Sequence, residues 1–247
     1  MKTGLIIIVD GSVGCLAVTS TINNIREKYS IKNLDVLVKD ESTKDIFKYN
    51  KKINKVETKS SAIPKLVNKR YDYMFNFSDK SNLDYYDFIK CENKIGVGLD
   101  ESSTTLYNKI KNGNHIKKNI YQIYFNLIKE TWKGEGINLN YFPKTHEIKN
   151  KTGLYITNDN LKRYVISNIK LDFRLENICF KKGLYNFLDE LNIYENIVTE
   201  DVHTALLATY LRKNIYFLKS DLVKFKMEFF GTGEEIKIPI NIYNNMI

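Results

Sequence analysis

Residues 5–9 read Leu-Ile-Ile-Ile-Val, an unbroken apolar run followed at once by Asp-Gly-Ser-Val-Gly. A run without polar alternation is what a strand needs when helices cover both faces of its sheet. It is too short for a membrane span or for the core of a signal peptide. A helix is predicted over residues 15–29, where Leu16, Ile22 and Ile25 fall near helical spacing, and a second strand over 34–38 (LDVLV). Strand, helix and strand form a βαβ unit, because parallel neighbours need a crossover between them.

The alternation continues along the chain. The pattern predicts a short helix at 42–49 anchored by Ile46 and Phe47, a strand at 55–58, a helix at 61–69 and a strand at 72–77. A helix at 82–90, a strand at 94–98 and a helix at 120–132 follow. Residues 133–140 carry two glycines and no clear period, and read as part of a linker. Beyond it, strands are predicted at 154–157, 178–180, 196–199, 214–218 and 236–242, with helices at 184–191 and 203–211. The resulting fold class is α/β, with two Rossmann-like lobes of mostly parallel sheet: an N-terminal lobe over 1–132, a linker over 133–150 and a shortened C-terminal lobe over 151–247. A chain of 247 residues has room for two such lobes.

Composition narrows the setting. Three cysteines, Cys15, Cys91 and Cys179, lie far apart with no C-x-x-C, which excludes a disulfide framework and a zinc finger and suits a reducing cytosol. Lys and Arg number 38 against 29 Asp and Glu, a net charge of +9 that permits an anionic partner. The basic residues are spread rather than clustered, so no nucleic-acid tail is present and no nucleic-acid partner is expected. Tyr71, Tyr73, Tyr85 and Tyr86 could stack bases but read more simply as packing.

In open parallel sheets, ligands bind beyond the carboxyl ends of strands. Three strand-end loops carry suitable chemistry. In Asp10-Gly11-Ser12-Val13-Gly14, two glycines allow close backbone approach to a ligand, and a helix N-terminus follows; a plain tight turn is the simpler reading. The spacing matches neither a P-loop nor G-x-G-x-x-G. In Thr199-Glu200-Asp201-Val202-His203, two carboxylates and an imidazole share one turn, and ordinary helix capping would also place acids there. His203, one of three histidines with His115 and His146, is a candidate general base. In the loop from Asn158 to Arg163, Lys162 and Arg163 could bind phosphate or form a solvated basic loop. No pattern of metal ligands and no cofactor fingerprint is present.

Four stretches together resemble glycosyltransferase family 9, the heptosyltransferases: LIIIVDGSVGCLAVTSTINNIR at 5–26, YDYMFNFSDKSNLDYYDFIKCENKIGVGLD at 71–100, YITNDNLKRY at 155–164 and IVTEDVHTALLATYLRKNIYFL at 197–218. The last is similar to the family's V-x-x-D-[ST]-x-x-x-H donor segment, and its TEDVH also resembles the T-D-R-L-H of polysaccharide pyruvyl transferases. The departures are specific. The family's Gly-Asp, which supplies its base, stands as Gly14-Cys15; the motif histidine aligns with Leu206; and residues 164–197 leave little room for a full set of second-lobe units.

The resemblance implies a GT-B fold and inverting, metal-independent transfer of a sugar from a nucleotide-diphosphate donor to a surface-glycan or glycolipid acceptor. It implies an acceptor-side loop of Gly11, Ser12, Gly14 and Cys15, with Asp10 or His203 as base. Lys162, Arg163, Thr199, Glu200, Asp201 and Val202 would form the donor and phosphate side. The alternative is a catalytically inactive relative that binds a donor or supports a partner glycosyltransferase. Either would work in the cytoplasm, with the positive charge suited to the inner face of an anionic membrane.

Overall fold

The computed structural model describes residues 1–66, 68–78, 89–99, 120–144, 151–168, 175–179, 183–219 and 233–237. Residues 82–88 of the helix expected over 82–90, together with Tyr85, Tyr86, His115 and His146, lie outside the described residues, and Lys90 belongs to a strand instead. The chain divides into two compact units, Met1–Asn140 and Tyr141–Ile247.

The N-terminal unit is built on a five-stranded, all-parallel sheet: β1 (Lys2–Ile8), β2 (Ile31–Val38), β3 (Lys55–Thr58), β4 (Arg70–Asn76) and β5 (Lys90–Gly96), in the order β3-β2-β1-β4-β5. The apolar run occupies the central strand, where Leu5, Ile6, Ile7 and Ile8 are all fully buried. Leu5, Ile7 and Val9 join Leu37, Met74, Ala62 and Leu66 in one cluster, the last two from α4 (Lys59–Leu66). Ile8 lies on the other face, close to Gly14 of α1 (Ser12–Val18) and to Tyr124 of α5 (Ile120–Leu127). Each such side chain contributes ~1.5–3 kcal/mol by leaving water.

The single helix expected over 15–29 is two helices, α1 and α2 (Ile22–Lys28), joined by a 3-10 turn at Thr19–Thr21. Thr19, Ser20 and Thr21 each donate a hydroxyl to the carbonyl three residues back, at 2.6, 2.7 and 2.8 Å. Consecutive back-bonds of this kind compete with the regular ladder and tighten it. After β2, Asp40 caps the one-turn α3 (Glu41–Lys44), which continues into a 3-10 turn at Asp45–Phe47. Residues 133–140 have no regular structure but bury Ile137 and Leu139, and the Asn138 N–H donates to Thr19 Oγ1 at 2.9 Å.

The C-terminal unit is shorter, yet its sheet also has five parallel strands: β6 (Thr152–Tyr155), β7 (Leu175–Asn177), β8 (Asn196–Thr199), β9 (Asn214–Lys219) and β10 (Gly233–Lys237), in the order β10-β9-β8-β6-β7. The strand expected at 178–180 lies instead at Leu175–Asn177. The segment read as a basic loop is a helix, α6 (Asp159–Asn168), whose Leu161 and Val165 pack on Leu154, Ile156, Val198 and Leu218. The opposite face receives α7 (Leu184–Asn192), with Phe187 5.1 Å from Tyr155, ring centre to ring centre. The last helix, α8 (Val202–Tyr210), contacts α7 and β9. Asp189 of α7 accepts from the Tyr141 hydroxyl at 2.8 Å and the Lys144 N–H at 3.1 Å, which anchors the first residues of the unit.

Candidate functional site

Strand order locates a crevice in each unit. In the N-terminal unit the chain runs from β1 outward to β2 and β3, then returns past β1 to β4. The order reverses between β1 and β4, so the loops that leave them diverge and open a crevice. In the C-terminal unit the reversal lies between β6 and β8, whose ends are paired at Tyr155 and Thr199.

The first crevice is bordered by the loop Asp10-Gly11 and the start of α1 on one side, and by Phe77 and Ser78 on the other. Gly11 takes φ +108°, a conformation that favours glycine, and no atom lies within 4 Å of the side chain it lacks. Asp10 is exposed at the end of β1, and Ser12 opens α1. Cys15 is not at the surface of this loop. It is fully buried, and its thiol donates to the Ile8 carbonyl at 3.6 Å. Burial pushes the thiol well above its ordinary range, with Asp40 and Asp10 adding to the effect. A thiol so held is neither nucleophile nor base.

Sequence reasoning did not single out Asn76 and Ser78, which fix this edge. Ser78 Oγ accepts the Val9 N–H at 2.6 Å, tying the two sides of the crevice. The Asn76 amide donates to the Ser78 and Val97 carbonyls at 3.1 and 2.6 Å, and its oxygen accepts the Ser78 N–H at 3.0 Å. Both residues are buried. Gly96 closes over them at φ +111°; an added Cβ would stand 2.1 Å from the Asn76 carbonyl oxygen. Their one trace in the sequence is that all three fall in the 71–100 stretch quoted above.

The second crevice brings together the residues following β6 and those following β8. Asn158 caps α6, its Oδ1 accepting the Asn160 and Leu161 N–H groups at 2.9 and 3.1 Å. Lys162 and Arg163 therefore sit at the start of a helix, and neither makes an ion pair among the described residues. Across the crevice, Asp201 caps α8: its Oδ2 accepts the Thr204 N–H at 2.8 Å and the Thr204 hydroxyl at 2.6 Å. The Asp201 N–H donates to Thr199 Oγ1 at 3.0 Å, and Val202 opens the helix. Glu200 Oε1 accepts both the N–H and the hydroxyl of Thr157, each at 2.7 Å. Burial pushes the His203 imidazole below its ordinary value, partly opposed by Asp201, which favours the neutral ring. Tyr155, beside Asp201 and Glu200, is pushed upward by burial first and by those carboxylates second. The α8 side thus carries Glu200 and Asp201, and the α6 side carries Lys162 and Arg163 behind Asp159, the residue that opens the helix. Among the described residues no three His, Cys, Asp or Glu side chains gather as a metal site would require.

No protein-family model matches the sequence. No curated protein matches it either. Solved structures do. A glycosyltransferase family 9 protein from Veillonella parvula superposes with a TM-score of 0.64 at 8% identity, over 99% of this chain and 88% of that one. E. coli heptosyltransferase WaaC with ADP gives 0.60 at 12% identity, over 96% and 94%. E. coli ADP-heptose LPS heptosyltransferase II gives 0.58 at 10%, over 96% and 90%.

The fold is that of the heptosyltransferases.

The resemblance read from the sequence thus holds at the level of fold, and it takes in both units. Within this fold, the residues expected on the donor side follow two neighbouring strands of the C-terminal unit: Lys162 and Arg163 lie in α6, after β6, and Thr199, Glu200, Asp201, Val202 and His203 lie at the end of β8 and the start of α8. Asp10, Gly11 and Ser12 border the crevice of the N-terminal unit, whereas Gly14 and Cys15 are buried beneath it.

Proposed function

We propose that the protein is a heptosyltransferase-like glycosyltransferase that transfers a sugar from a nucleotide-diphosphate donor to a hydroxyl of a surface-glycan or lipopolysaccharide-type acceptor, with inversion and without a metal. The observation that carries this reading is the divided charge of the C-terminal crevice. Lys162 and Arg163, the fourth and fifth residues of α6, suit a diphosphate by charge, and the N-terminal end of that helix suits it by its dipole. Asp201 and His203 at the head of α8 suit sugar hydroxyls. A sugar diphosphate has both chemistries in one molecule, and the solved relatives include WaaC with ADP and WaaC with ADP-2-deoxy-2-fluoro heptose.

In this reading the acceptor hydroxyl loses its proton to Asp10, the exposed carboxylate at the end of β1. The acceptor oxygen attacks the anomeric carbon, the bond to the diphosphate breaks, and the charge that collects on the departing diphosphate is met by Lys162, Arg163 and the α6 dipole. His203 is the other base candidate, its neutral, proton-accepting form favoured by burial. The net charge of +9 suits work at an anionic membrane face. No helix among the described residues is long and apolar enough to cross a membrane. The attachment we propose is peripheral, and sedimentation with anionic vesicles at low salt tests it.

A second reading rests on Cys15. The position where the family carries its base holds a buried thiol that cannot serve as one. A relative that binds donor without transferring sugar, or that supports a partner glycosyltransferase, would keep the C-terminal crevice and lose the chemistry. Thermal-shift measurement against ADP-, GDP-, UDP-, CMP- and dTDP-sugars, then donor hydrolysis on any hit, separates the two. A selective shift with turnover that Asp10→Asn reduces 10²–10⁴-fold (roughly the worth of a positioned base) establishes the enzyme. A shift without turnover establishes the binding protein, and no shift with any donor overturns both.

A further inference from the structure

We infer that Glu200 is a positioning residue: it holds the β6–α6 loop against the β8–α8 loop across the C-terminal crevice, and so sets the spacing between the phosphate-binding and sugar-binding sides without touching the donor through that bond. This rests on the functional reading above and departs from the sequence expectation that Glu200 is itself a donor ligand.

The geometry is specific. Strands β6 and β8 are adjacent in the sheet, yet the chain between their ends passes through α6, β7 and α7. At a reversal of strand order the helices that follow two neighbouring strands leave on opposite faces of the sheet, so no backbone ladder joins the loops. Here α6 packs on one face with Leu154 and Val198, while α7, a neighbour of α8, meets Tyr155 on the other. Among the described residues a side chain ties them. Glu200 does so with one oxygen, Oε1, which accepts both donors of Thr157 at 2.7 Å. Thr157 directly precedes Asn158, the residue that caps α6. Glu200 directly precedes Asp201, the residue that caps α8. The bond therefore fixes two helix starts relative to each other.

The other carboxylate oxygen, Oε2, is shielded from solvent and accepts no hydrogen bond among the described residues. Leaving it so is unfavourable. The N-terminal unit places a bond at its own reversal, where Ser78 Oγ accepts the Val9 N–H. Both crevices are thus closed at the root by a side chain from the second loop accepting a backbone N–H from the first.

The test compares Glu200→Ala, which removes the acceptor, with Glu200→Gln, which keeps an acceptor oxygen and the side-chain length. Each is measured by calorimetric titration with ADP, GDP, UDP and dTDP, by melting temperature, and by amide exchange at Thr157. Glu200→Ala is expected to weaken nucleotide binding at least ten-fold, to speed exchange at Thr157 and to move the melting temperature by no more than a few degrees. Glu200→Gln is expected to restore affinity to within about three-fold and to slow that exchange again. If Glu200→Ala does not fold, Thr157→Val, which removes the hydroxyl donor, is expected to weaken binding in the same direction. Unchanged affinity in Glu200→Ala, or unchanged affinity with faster amide exchange at position 157 in Thr157→Val where that variant stands in for it, overturns the proposal alone. So does Glu200→Gln as damaging as Glu200→Ala, since the charge rather than the tie would then matter. A parent protein that binds none of the four nucleotides overturns the functional reading and the proposal with it.

Discussion

Two glycines at the first crevice share a backbone conformation but not a consequence. Gly11 at φ +108° has empty space where a methyl group would go, so Gly11→Ala is expected to cost only the backbone strain, about 1 kcal/mol. Gly96 at φ +111° would drive a methyl group onto the Asn76 carbonyl oxygen, which cannot move without disturbing the bond it accepts from the Val97 N–H at 3.0 Å. Gly96→Ala is expected to cost on the order of 3–4 kcal/mol, and urea unfolding of the pair gives the comparison. The cysteines sort in the same way by surroundings. A disulfide reagent added to the native protein is expected to label exposed Cys179 first and half-buried Cys91 more slowly, and to reach Cys15 only on denaturation. Labelling of all three at one rate would mean that Cys15 is not sealed, and the second reading of the site would lose its support.

Among the strands, β2 carries an acid in its interior. Asp35 is 4% exposed and accepts from Asn54 at 3.0 Å, Lys69 at 2.9 Å and the Tyr71 hydroxyl at 2.7 Å. These bonds outweigh burial and hold its carboxyl below the usual range; Glu57, on neighbouring β3, is held down in the same sense by Lys55 and Lys65. A folded pKa below the unfolded one means that the unfolded chain binds more protons. The contribution is therefore complete above the unfolded values, ~3.9 for Asp and ~4.3 for Glu, and is lost as pH falls below them. Asp35→Asn is expected to cost about 2 kcal/mol at pH 7, less than a sealed pair would because the Lys69 side chain is 40% exposed. The gap between parent and variant should narrow by pH 3, and unfolding followed across that range measures it. Much of the element plan was legible from pattern alone: the strands at 55–58 and 196–199 fall where period and composition put them. The misses have local causes. Leu175-Glu176-Asn177 has one apolar residue, and what makes it a strand is pairing with β6 rather than its own pattern. The helix start at Asp159 depends on the Asn158 cap, which in sequence looks the same as a polar loop. The candidate residues at the two crevices could be named because strand ends can be located from pattern. The sealing of Cys15 and the Glu200–Thr157 bond could not, because both depend on residues brought near by the sheet rather than by the chain.

Each unit has its own sheet and its own core, so each can unfold as a separate transition. If nucleotide binds at the C-terminal crevice, scanning calorimetry with donor at 100 times its Kd should raise one transition by the equivalent of ~2.7 kcal/mol and leave the other in place. Movement of both together would mean that the units melt as one, and movement of neither would remove the donor. The ties at the strand reversals bear on how such a molecule is put together. Val9 and Ser78 are separated by 69 residues, and Thr157 and Glu200 by 43. Neither bond can form until the intervening strands and helices have taken their places, since long loops close late and at an entropic cost. The edges of the two crevices are thus completed only with the strand order that creates them. If the crevices bind the proposed donor, a chain caught midway would hold its helices without them, so that the capacity to bind would report on the finished fold.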